Sequence, residues 1–211
     1  MPARSIALAC AAMLGLSGAA NANLLINGGF EKPIVTLIDG SYAHRNGTEL
    51  AGWTAFSSWQ GIVQFRYPYI DYIHYIPSEG LQAVQLEVPG DWIMQSFATV
   101  VGQTYRLTFD LSMQPNDAST AVGISVGSVS ATRTGTSEAF TPQVGIDFVA
   151  DSALTTLKFE SPVTVNEFGR DFPQLDKVSV TAIPEPEDYL LMLAGLGVLG
   201  LVARRRRHAA T

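Results

Sequence analysis

Aromatic rings are concentrated in one short stretch of this chain, between Phe65 and Ile76. Four of them are tyrosines, whose hydroxyls need partners when buried, so the run is hard to enclose in a core. Exposed flat rings stack on the C–H faces of sugars, and neighbouring polar groups can bond sugar hydroxyls. The alternative is that alternate rings pack inward and the rest lie on a wet sheet face. The predicted sugar-contacting residues are Trp59, Arg66, Tyr67, Tyr69, Asp71, Tyr72, His74 and Tyr75.

Catalytic chemistry has little support in the sequence. His44 and His74 are the histidines between residues 23 and 183, and there is no H-E-x-x-H, G-x-S-x-G or P-loop pattern. Carboxylates such as Glu79, Glu87 and Asp110 are present, but no spacing singles out a pair suited to glycoside hydrolysis. We therefore predict no catalytic residue and a protein that is not an enzyme. A polysaccharide-cleaving enzyme is the less favoured alternative.

The N-terminus has the three parts of a secretory signal peptide. A basic start is followed by an apolar stretch over residues 6–16 and by Ala20 and Ala22, which form an A-x-A cleavage site. Cleavage there makes Asn23 the first residue of the mature chain. The single cysteine, Cys10, lies in the removed segment, so we predict a mature domain without disulfides or thiolate metal sites.

The C-terminus combines a proline hinge, an apolar run and a basic cluster. Pro184 and Pro186 lack an amide donor and end any preceding strand. Residues 189–203 carry no charge, and as a helix they span about 22 Å, less than the hydrocarbon core of about 30 Å. This run is therefore marginal as a permanent anchor, and the arginines after it favour a cytoplasmic C-terminus. The predicted sorting and processing residues are Ala20, Ala22, Pro184, Glu185, Pro186, Arg204, Arg205, Arg206 and Arg207.

These three parts, in this order, resemble the PEP-CTERM sorting signal of Gram-negative bacteria. The resemblance covers residues 184–211. It implies recognition by an inner-membrane exosortase, removal of the apolar tail near Pro-Glu-Pro, and delivery to the cell surface or an extracellular polysaccharide matrix. Signal peptidase and the exosortase are then the processing partners, and the inner membrane holds the precursor transiently.

Between residues 23 and 183 the sequence alternates apolar and polar residues in short blocks, without long helical periodicity. In the clearest block, Tyr105, Leu107 and Phe109 share one face of a half-buried antiparallel strand. About ten such blocks, separated by turn residues, predict an all-β sandwich or jelly roll. The predicted strands are residues 24–27, 52–56, 61–67, 81–88, 92–99, 104–113, 121–133, 144–149, 154–160 and 174–183.

The predicted mature domain is acidic. Residues 23–183 hold 16 Asp and Glu against 8 Lys and Arg, a net charge of 8 − 16 = −8. This excess argues against nucleic acid and anionic lipid as partners, and it is compatible with neutral sugars or cations. The predicted organisation is a signal peptide over 1–22, a β-sandwich domain over 23–183, and a sorting signal over 184–211 with one hydrophobic helix at 189–203 and arginines at 204–207.

Several motifs of this domain resemble the galactose-binding-like jelly rolls, especially DUF642-type surface proteins and the carbohydrate-binding modules of families 4, 9 and 22. The resemblance implies that the opening segment packs beside the closing strand and that Trp53 and Trp92 face the core. The motifs are Asn23–Pro33, Gly52–Trp53, Glu79–Leu86, Gly90–Gln95, Gly102–Asp110 and Leu175–Val180.

A structural calcium often joins the opening and closing strands in that group. Glu31 and Asp176 match the acidic positions, and Asn27 supplies a nearby oxygen. Hard oxygen ligands suit calcium. Lys177 departs from the pattern, because many relatives carry a second acid there, and the loss of that acid should weaken the site. The alternative is that these residues are surface charges with no ion.

Together these features predict an exported, non-catalytic protein of the cell surface or extracellular matrix. An exosortase is expected to sort it, and we expect it to associate with exopolysaccharide in a biofilm. The expected ligand is exopolysaccharide or a cell-wall glycan, bound through Trp59 and the tyrosine run. The alternative is a purely structural surface module without a glycan ligand.

Overall fold

A computed structural model describes residues 22–36, 42–67, 76–113, 120–143, 145–162, 172–184 and 193–200. Within these ranges the chain forms β-strands and one helical segment, residues 193–200. The strands are β1 (Tyr42–Arg45), β2 (Thr54–Phe56), β3 (Ile62–Arg66), β4 (Gln82–Gln85), β5 (Trp92–Ala98), β6 (Thr104–Ser112), β7 (Thr120–Val126), β8 (Val129–Gly135), β9 (Thr141–Pro142), β10 (Ile146–Val149), β11 (Leu154–Glu160) and β12 (Gln174–Ala182).

The strands form two antiparallel sheets. The larger sheet has the order β1-β3-β4-β12-β6-β10, and β9 also pairs with β6. The smaller sheet has the order β2-β5-β11-β7-β8. Apolar side chains from both sheets form one core cluster between them, so the architecture is a β-sandwich. The predicted all-β jelly-roll fold is confirmed.

Aromatic rings fill the centre of this core. Trp53 is buried, and its ring centroid lies 5.4 Å from that of Phe30 and 6.5 Å from that of Phe159. Phe109 meets Phe159 edge-on at 5.1 Å. The Trp53 indole nitrogen donates a hydrogen bond to the carbonyl oxygen of Asn27 at 3.1 Å, which satisfies its one donor. The predicted core position of Trp53 is therefore confirmed.

The N-terminal segment, residues 23–35, joins the two sheets without forming a strand. Gly28 accepts a 2.9 Å hydrogen bond from the Val178 amide of β12, as the family resemblance implied. The Gln95 side chain of β5 exchanges two hydrogen bonds with the Ile26 backbone, at 2.7 and 2.9 Å. A Cβ on Gly28 would lie 2.0 Å from the Val178 carbonyl oxygen, so this close approach requires glycine.

Several strand predictions differ from the structure. Residues 24–27 do not form the predicted strand, because their backbone bonds are shared between the two sheets. The predicted strand over residues 121–133 is a hairpin of β7 and β8, which turns at Gly127 with a positive φ of 56°. The sequence did not predict β1 or β9, which are only four and two residues long and lack an extended apolar alternation.

Trp92 does not occupy the predicted core position. Ile93 and Phe97 of β5 point into the core, so the two-residue period of the strand places Trp92 on the outer face of the smaller sheet. There its ring stacks on Phe56 at 5.7 Å, and the ammonium of Lys158 lies 5.5 Å from the ring centroid. Trp92 is thus part of an external aromatic pair rather than of the core.

Candidate functional site

The outer face of the larger sheet, meaning the face turned away from the core, carries rows of side chains that cross several strands. Directly paired residues of neighbouring strands present their side chains on the same face, so each row is a line of neighbours. The first row contains His44, Val63, Gln85, Gln174 and Ser112. The second row contains Tyr42, Phe65 and Ala83 in β1, β3 and β4, and Asp176 and Asp110 in β12 and β6.

Three polar residues at the centre of the first row are buried and bonded to one another. The Ser112 hydroxyl donates to Gln174 Oε1 at 2.7 Å, and Gln174 Nε2 donates to Gln85 Oε1 at 2.9 Å. Buried amides are costly unless they are paired, and here the pairing runs across three strands. This row therefore fixes the register of β4, β12 and β6 beneath the outer face.

Two buried carboxylates occupy the second row. Asp110 and Asp176 are direct partners in the pairing of β6 with β12. Burial raises the pKa of Asp176 to about 7, although hydrogen bonds from the backbone of Glu79 and Lys177 oppose the rise. Asp176 accepts these bonds at 2.9 and 2.7 Å, and the Ser78 hydroxyl adds one at 3.1 Å. The carboxylate thereby fastens residues 78 and 79 to the closing strand.

The other residues predicted to bind calcium are bonded to the backbone in the same way. Glu31 Oε1 accepts hydrogen bonds from the amides of Leu81 and Gln82, both at 2.8 Å. Asn27 Oδ1 accepts one from the Lys32 amide at 3.0 Å. Within the described parts of the chain, no three His, Cys, Asp or Glu side chains form a metal-binding group. These contacts give both acids a role that needs no ion, and calcium binding stays a prediction.

The predicted tyrosine run lies in the connection between β3 and β4. The two ends of this connection meet where the Tyr67 amide donates to the Leu81 carbonyl oxygen at 2.9 Å. Arg66, predicted to contact sugar, instead donates to the carbonyl oxygen of Val35 at 3.0 Å and is half-buried. The remaining members of the predicted set lie outside the described residues, namely Tyr69, Asp71, Tyr72, His74 and Tyr75.

The structure separates Trp59 from Tyr67, the first tyrosine of the run. Trp59 precedes β3 and is 60% exposed, whereas Tyr67 follows β3 and is 39% exposed. The five residues of β3 place these two rings at opposite ends of a strand about 17 Å long. One sugar ring cannot touch both of them. If both contact a ligand, that ligand is an extended chain.

Sequence reasoning missed a polar and aromatic group on β1. Tyr42 is 40% exposed and meets the ring of His44 edge-on at 5.6 Å. Nδ1 of His44 lies 4.0 Å from a carboxylate oxygen of Glu87. The alternation of Tyr42 and His44 about Ala43 was the available signal, but four residues are too few to predict a strand. This group lies beside β3, between its two ends.

Only part of the predicted sorting signal is described. Pro184 follows β12, while Ala20, Glu185, Pro186 and the arginines at 204–207 lie outside the described residues, and Ala22 is exposed at the start of the first range. The helical residues 193–200 are exposed. Among the segments that the structure describes, no helix is long and apolar enough to cross a membrane.

The fold is a jelly-roll β-sandwich, an architecture that solved carbohydrate-binding modules share. It is similar to the structure of TmCBM61 in complex with β-1,4-galactotriose, with a TM-score of 0.50, 13% identity, and coverage of 77% of this chain and 99% of that one. A family 35 carbohydrate-binding module from Clostridium thermocellum gives a TM-score of 0.46 at 17% identity, with coverage of 67% and 98%. At 13% identity the likeness to TmCBM61 shows the fold alone.

The chain belongs to the DUF642 family, a protein family of unknown function, whose match covers residues 23–181. Residues 182–207 match the PEP-CTERM protein-sorting motif. Both predicted resemblances are therefore confirmed, and the motif implies an exported protein that an exosortase processes. No curated protein matches the chain significantly.

Proposed function

We propose that this protein is a non-catalytic module of the cell surface or extracellular matrix that binds an extended neutral glycan along the β1 edge of the outer face. One observation carries the proposal: exposed aromatic and polar side chains follow β3 from end to end. Trp59 lies at one end, Tyr42 and His44 lie beside the strand, and Tyr67 lies at the other end. A glycan chain is the ligand class whose repeating faces and hydroxyls suit such a line.

The chemistry of binding divides between rings and polar groups. Flat apolar ring faces that can stack on sugar C–H faces are supplied by Trp59, Tyr42 and Tyr67. The hydroxyl of each tyrosine stays in contact with water. His44 and Glu87 supply a donor and an acceptor for sugar hydroxyls. The acidic domain repels polyanions, so the proposed ligand is a neutral polysaccharide. The buried row of Gln85, Gln174 and Ser112 holds the strands in register below these groups.

Export and sorting give the proposed partners. The PEP-CTERM motif supports an exosortase as the processing enzyme and an exopolysaccharide or cell-wall glycan as the nearby ligand. Signal peptidase would remove residues 1–22, and the inner membrane would hold the precursor until the tail is cut. The proposed final location is the surface of a Gram-negative cell or its biofilm matrix.

Affinity electrophoresis tests the glycan proposal. Wild-type protein should be retarded in gels that contain the host exopolysaccharide or a neutral plant glycan such as β-1,4-galactan. Trp59→Ala and Tyr42→Ala should each weaken binding by about tenfold, since loss of one aromatic contact is worth about 1.4 kcal/mol. Phe56→Ala is the matched control, because Phe56 is equally exposed but lies on the smaller sheet.

The second candidate is a structural surface module without a glycan ligand. The satisfied hydrogen bonds of Gln85, Gln174 and Ser112 favour it, because these groups already have partners within the protein. Migration of the wild type without retardation in every glycan gel would support this candidate and refute the glycan proposal. Equal weakening by Phe56→Ala would place the contact on the other sheet.

A further inference from the structure

The end of the sandwich from which the C-terminal tail leaves is built from two adjoining chain crossovers. Residues 99–103 connect β5 to β6, and residues 150–153 connect β10 to β11. Their backbones are bonded to each other: Thr99 donates to Ala153 at 3.0 Å and Gly102 donates to Ala150 at 2.8 Å. The Val100 amide also donates to the Tyr105 hydroxyl at 2.8 Å. The two crossovers therefore form one firmly held surface.

This end of the sandwich carries exposed apolar side chains, whereas water-facing turns are normally polar. Four large aliphatic side chains on or beside the crossovers are between 53% and 67% exposed. Val149 lies on the outer face of the larger sheet and Leu154 on that of the smaller sheet, so with Val100 and Val101 they surround this end of the sandwich. Single exposed aliphatic residues need no explanation, but several at one end of a domain mark a contact surface. We call it the apolar end, and its residues are Val100, Val101, Val149 and Leu154.

The chain leaves the domain at the apolar end. The Ile183 amide donates to the Thr104 carbonyl oxygen at 2.9 Å, and Gln103 Nε2 donates to the Ile183 carbonyl oxygen at 2.7 Å. Five residues, 184–188, then separate Ile183 from the apolar run that begins at Tyr189. Five residues reach at most about 18 Å even when fully extended. Any membrane that holds the apolar run is therefore close to the apolar end.

The opposite terminus leads to the same place. Leu24 donates to the Val180 carbonyl oxygen, while Val178 donates to Gly28. The opening segment thus runs antiparallel to β12, and its N-terminal side is directed toward the apolar end. The predicted signal peptide, residues 1–22, joins the domain there. Before processing, both predicted membrane segments would connect to the same end of the sandwich.

The described part of the apolar run, residues 193–200, is itself exposed. The large apolar side chains of this segment are between 46% and 61% exposed, namely Leu193, Leu196, Val198 and Leu199. Both apolar surfaces are thus open, which is the arrangement expected when lipid covers them. Asp151 is exposed within the second crossover, and Glu185, Glu187 and Asp188 follow in the tail. These acids disfavour anionic headgroups, so the matching surface is zwitterionic phospholipid.

We propose that the apolar end rests in the headgroup region of the bilayer while the tail holds the precursor in the membrane. The contact would orient the sandwich and keep Pro184 at the lipid surface, where a membrane enzyme can reach the following residues. The inference uses the sorting motif and does not depend on glycan binding.

Site-directed fluorescence tests this contact in the full chain. Cys10 is the only cysteine, so Cys10→Ser with Val101→Cys gives one labelling site at the apolar end. Ala139→Cys is the matched control, because Ala139 is exposed near Ser137, which bonds Met113 beyond the far end of β6. Each variant carries a polarity-sensitive dye and is reconstituted into phosphatidylcholine vesicles. Nitroxide on the lipid chains and iodide in the water act as separate quenchers.

The emission of the dye at position 101 should shift to shorter wavelength. Lipid nitroxide should quench this emission, and iodide should not. The dye at position 139 should be quenched by iodide and not by lipid nitroxide. Adding Val100→Asp should return the dye at position 101 to water. Iodide quenching at both positions would overturn the proposal. Protection from both quenchers would mean that protein covers the surface, either the tail or a second copy, and would also overturn it. If the dye at position 101 still contacts lipid in the Val100→Asp variant, the C-terminal tail alone sets its position, and the proposal is overturned.

Discussion

The outer faces of the two sheets differ in whether their bonded polar side chains are buried or exposed. On the larger sheet, Gln85, Gln174 and Ser112 are buried and bonded in a row. On the smaller sheet, the equivalent cross-strand pair of Ser96 and Thr156 is exposed, although its hydroxyls lie 2.8 Å apart. The first face is internally organised, whereas the second is an ordinary wet surface.

This difference sets how strongly each face depends on its own hydrogen bonds. A solvated pair such as Ser96 with Thr156 tolerates substitution, because water replaces a lost partner. A buried polar row has no such substitute, so its members depend on one another for their hydrogen bonds. The exposed Tyr42 and the half-exposed His44 lie on the organised face. We therefore assign the proposed glycan contact to the larger sheet.

The two tryptophans give the largest expected contrast. Trp53→Ala should destabilise the domain by about 3–5 kcal/mol, because the ring is buried between the sheets. Trp92→Ala should cost only about 1 kcal/mol, since it removes an external stack and a cation–π contact. Urea unfolding of both variants measures the difference. Equal losses of stability would show that Trp92 is packed as firmly as the core ring of Trp53, and that the outer face of the smaller sheet is not a solvated surface.

The buried row gives the next effect. Gln174→Ala removes the hydrogen bonds that Gln174 makes with Gln85 and Ser112, and should destabilise the domain by about 2–3 kcal/mol. Thr156→Ala on the smaller sheet is the control and should stay within about 0.5 kcal/mol of the wild type. The same urea series detects both. If the Gln174→Ala variant is as stable as the control, the buried hydrogen bonds of this row do not stabilise the larger sheet.

Asp176 gives a pH dependence of defined sign. Its folded-state pKa of about 7 lies above the ordinary value of 3.8, so between these values the folded protein holds a proton that the unfolded chain has lost. Stability from this group is complete below about pH 4 and falls as the pH rises, by about 1.4 kcal/mol per pH unit through the middle of the window. Asp176→Asn cannot titrate, so its stability should fall less steeply between about pH 5 and pH 6. Parallel curves for the two proteins would contradict the raised pKa.

Calcium should have the smallest effect. Ligand ions stabilise the folded state by mass action, which amounts to about 0.4 kcal/mol when calcium equals its dissociation constant. Calcium competes with the proton of Asp176, whose pKa is about 7. Thermal melts should therefore be recorded at about pH 8, where the carboxylate is ionised and calcium binding is easiest to detect. The melting temperature should rise with calcium in the wild type and in Asp147→Ala, an exposed control on the same sheet, but not in Asp176→Ala. If a chelator leaves the wild-type melt unchanged, no site exists.

The fold could be predicted because its signals are local. The alternation of Tyr105, Leu107 and Phe109 specifies one face of β6, and the turns around it bound the strand. Trp92 shows the limit of this reasoning: a large aromatic residue at a strand end suggests burial, but the strand period set by Ile93 decides its face.

The candidate site was less accessible from the sequence, because it depends on pairing between distant strands. Glutamines at outward positions such as Gln85 and Gln174 suggest a solvated face until the register joins them. Trp59 and Tyr67 are close in the sequence, but the intervening strand β3 places them at opposite ends of the site. Proximity along a chain is a poor guide when an extended strand lies between two residues.

Hydrogen exchange in the presence of a retarding glycan tests the central claim most directly. β1 is an edge strand, so its outward amides exchange quickly unless a ligand covers them. The account predicts slower exchange in Tyr42–Arg45 and Ile62–Arg66, with no change in β2 and β5 of the smaller sheet. Slower exchange confined to β2 and β5, or no change in any strand for a glycan that retards the protein, would contradict it.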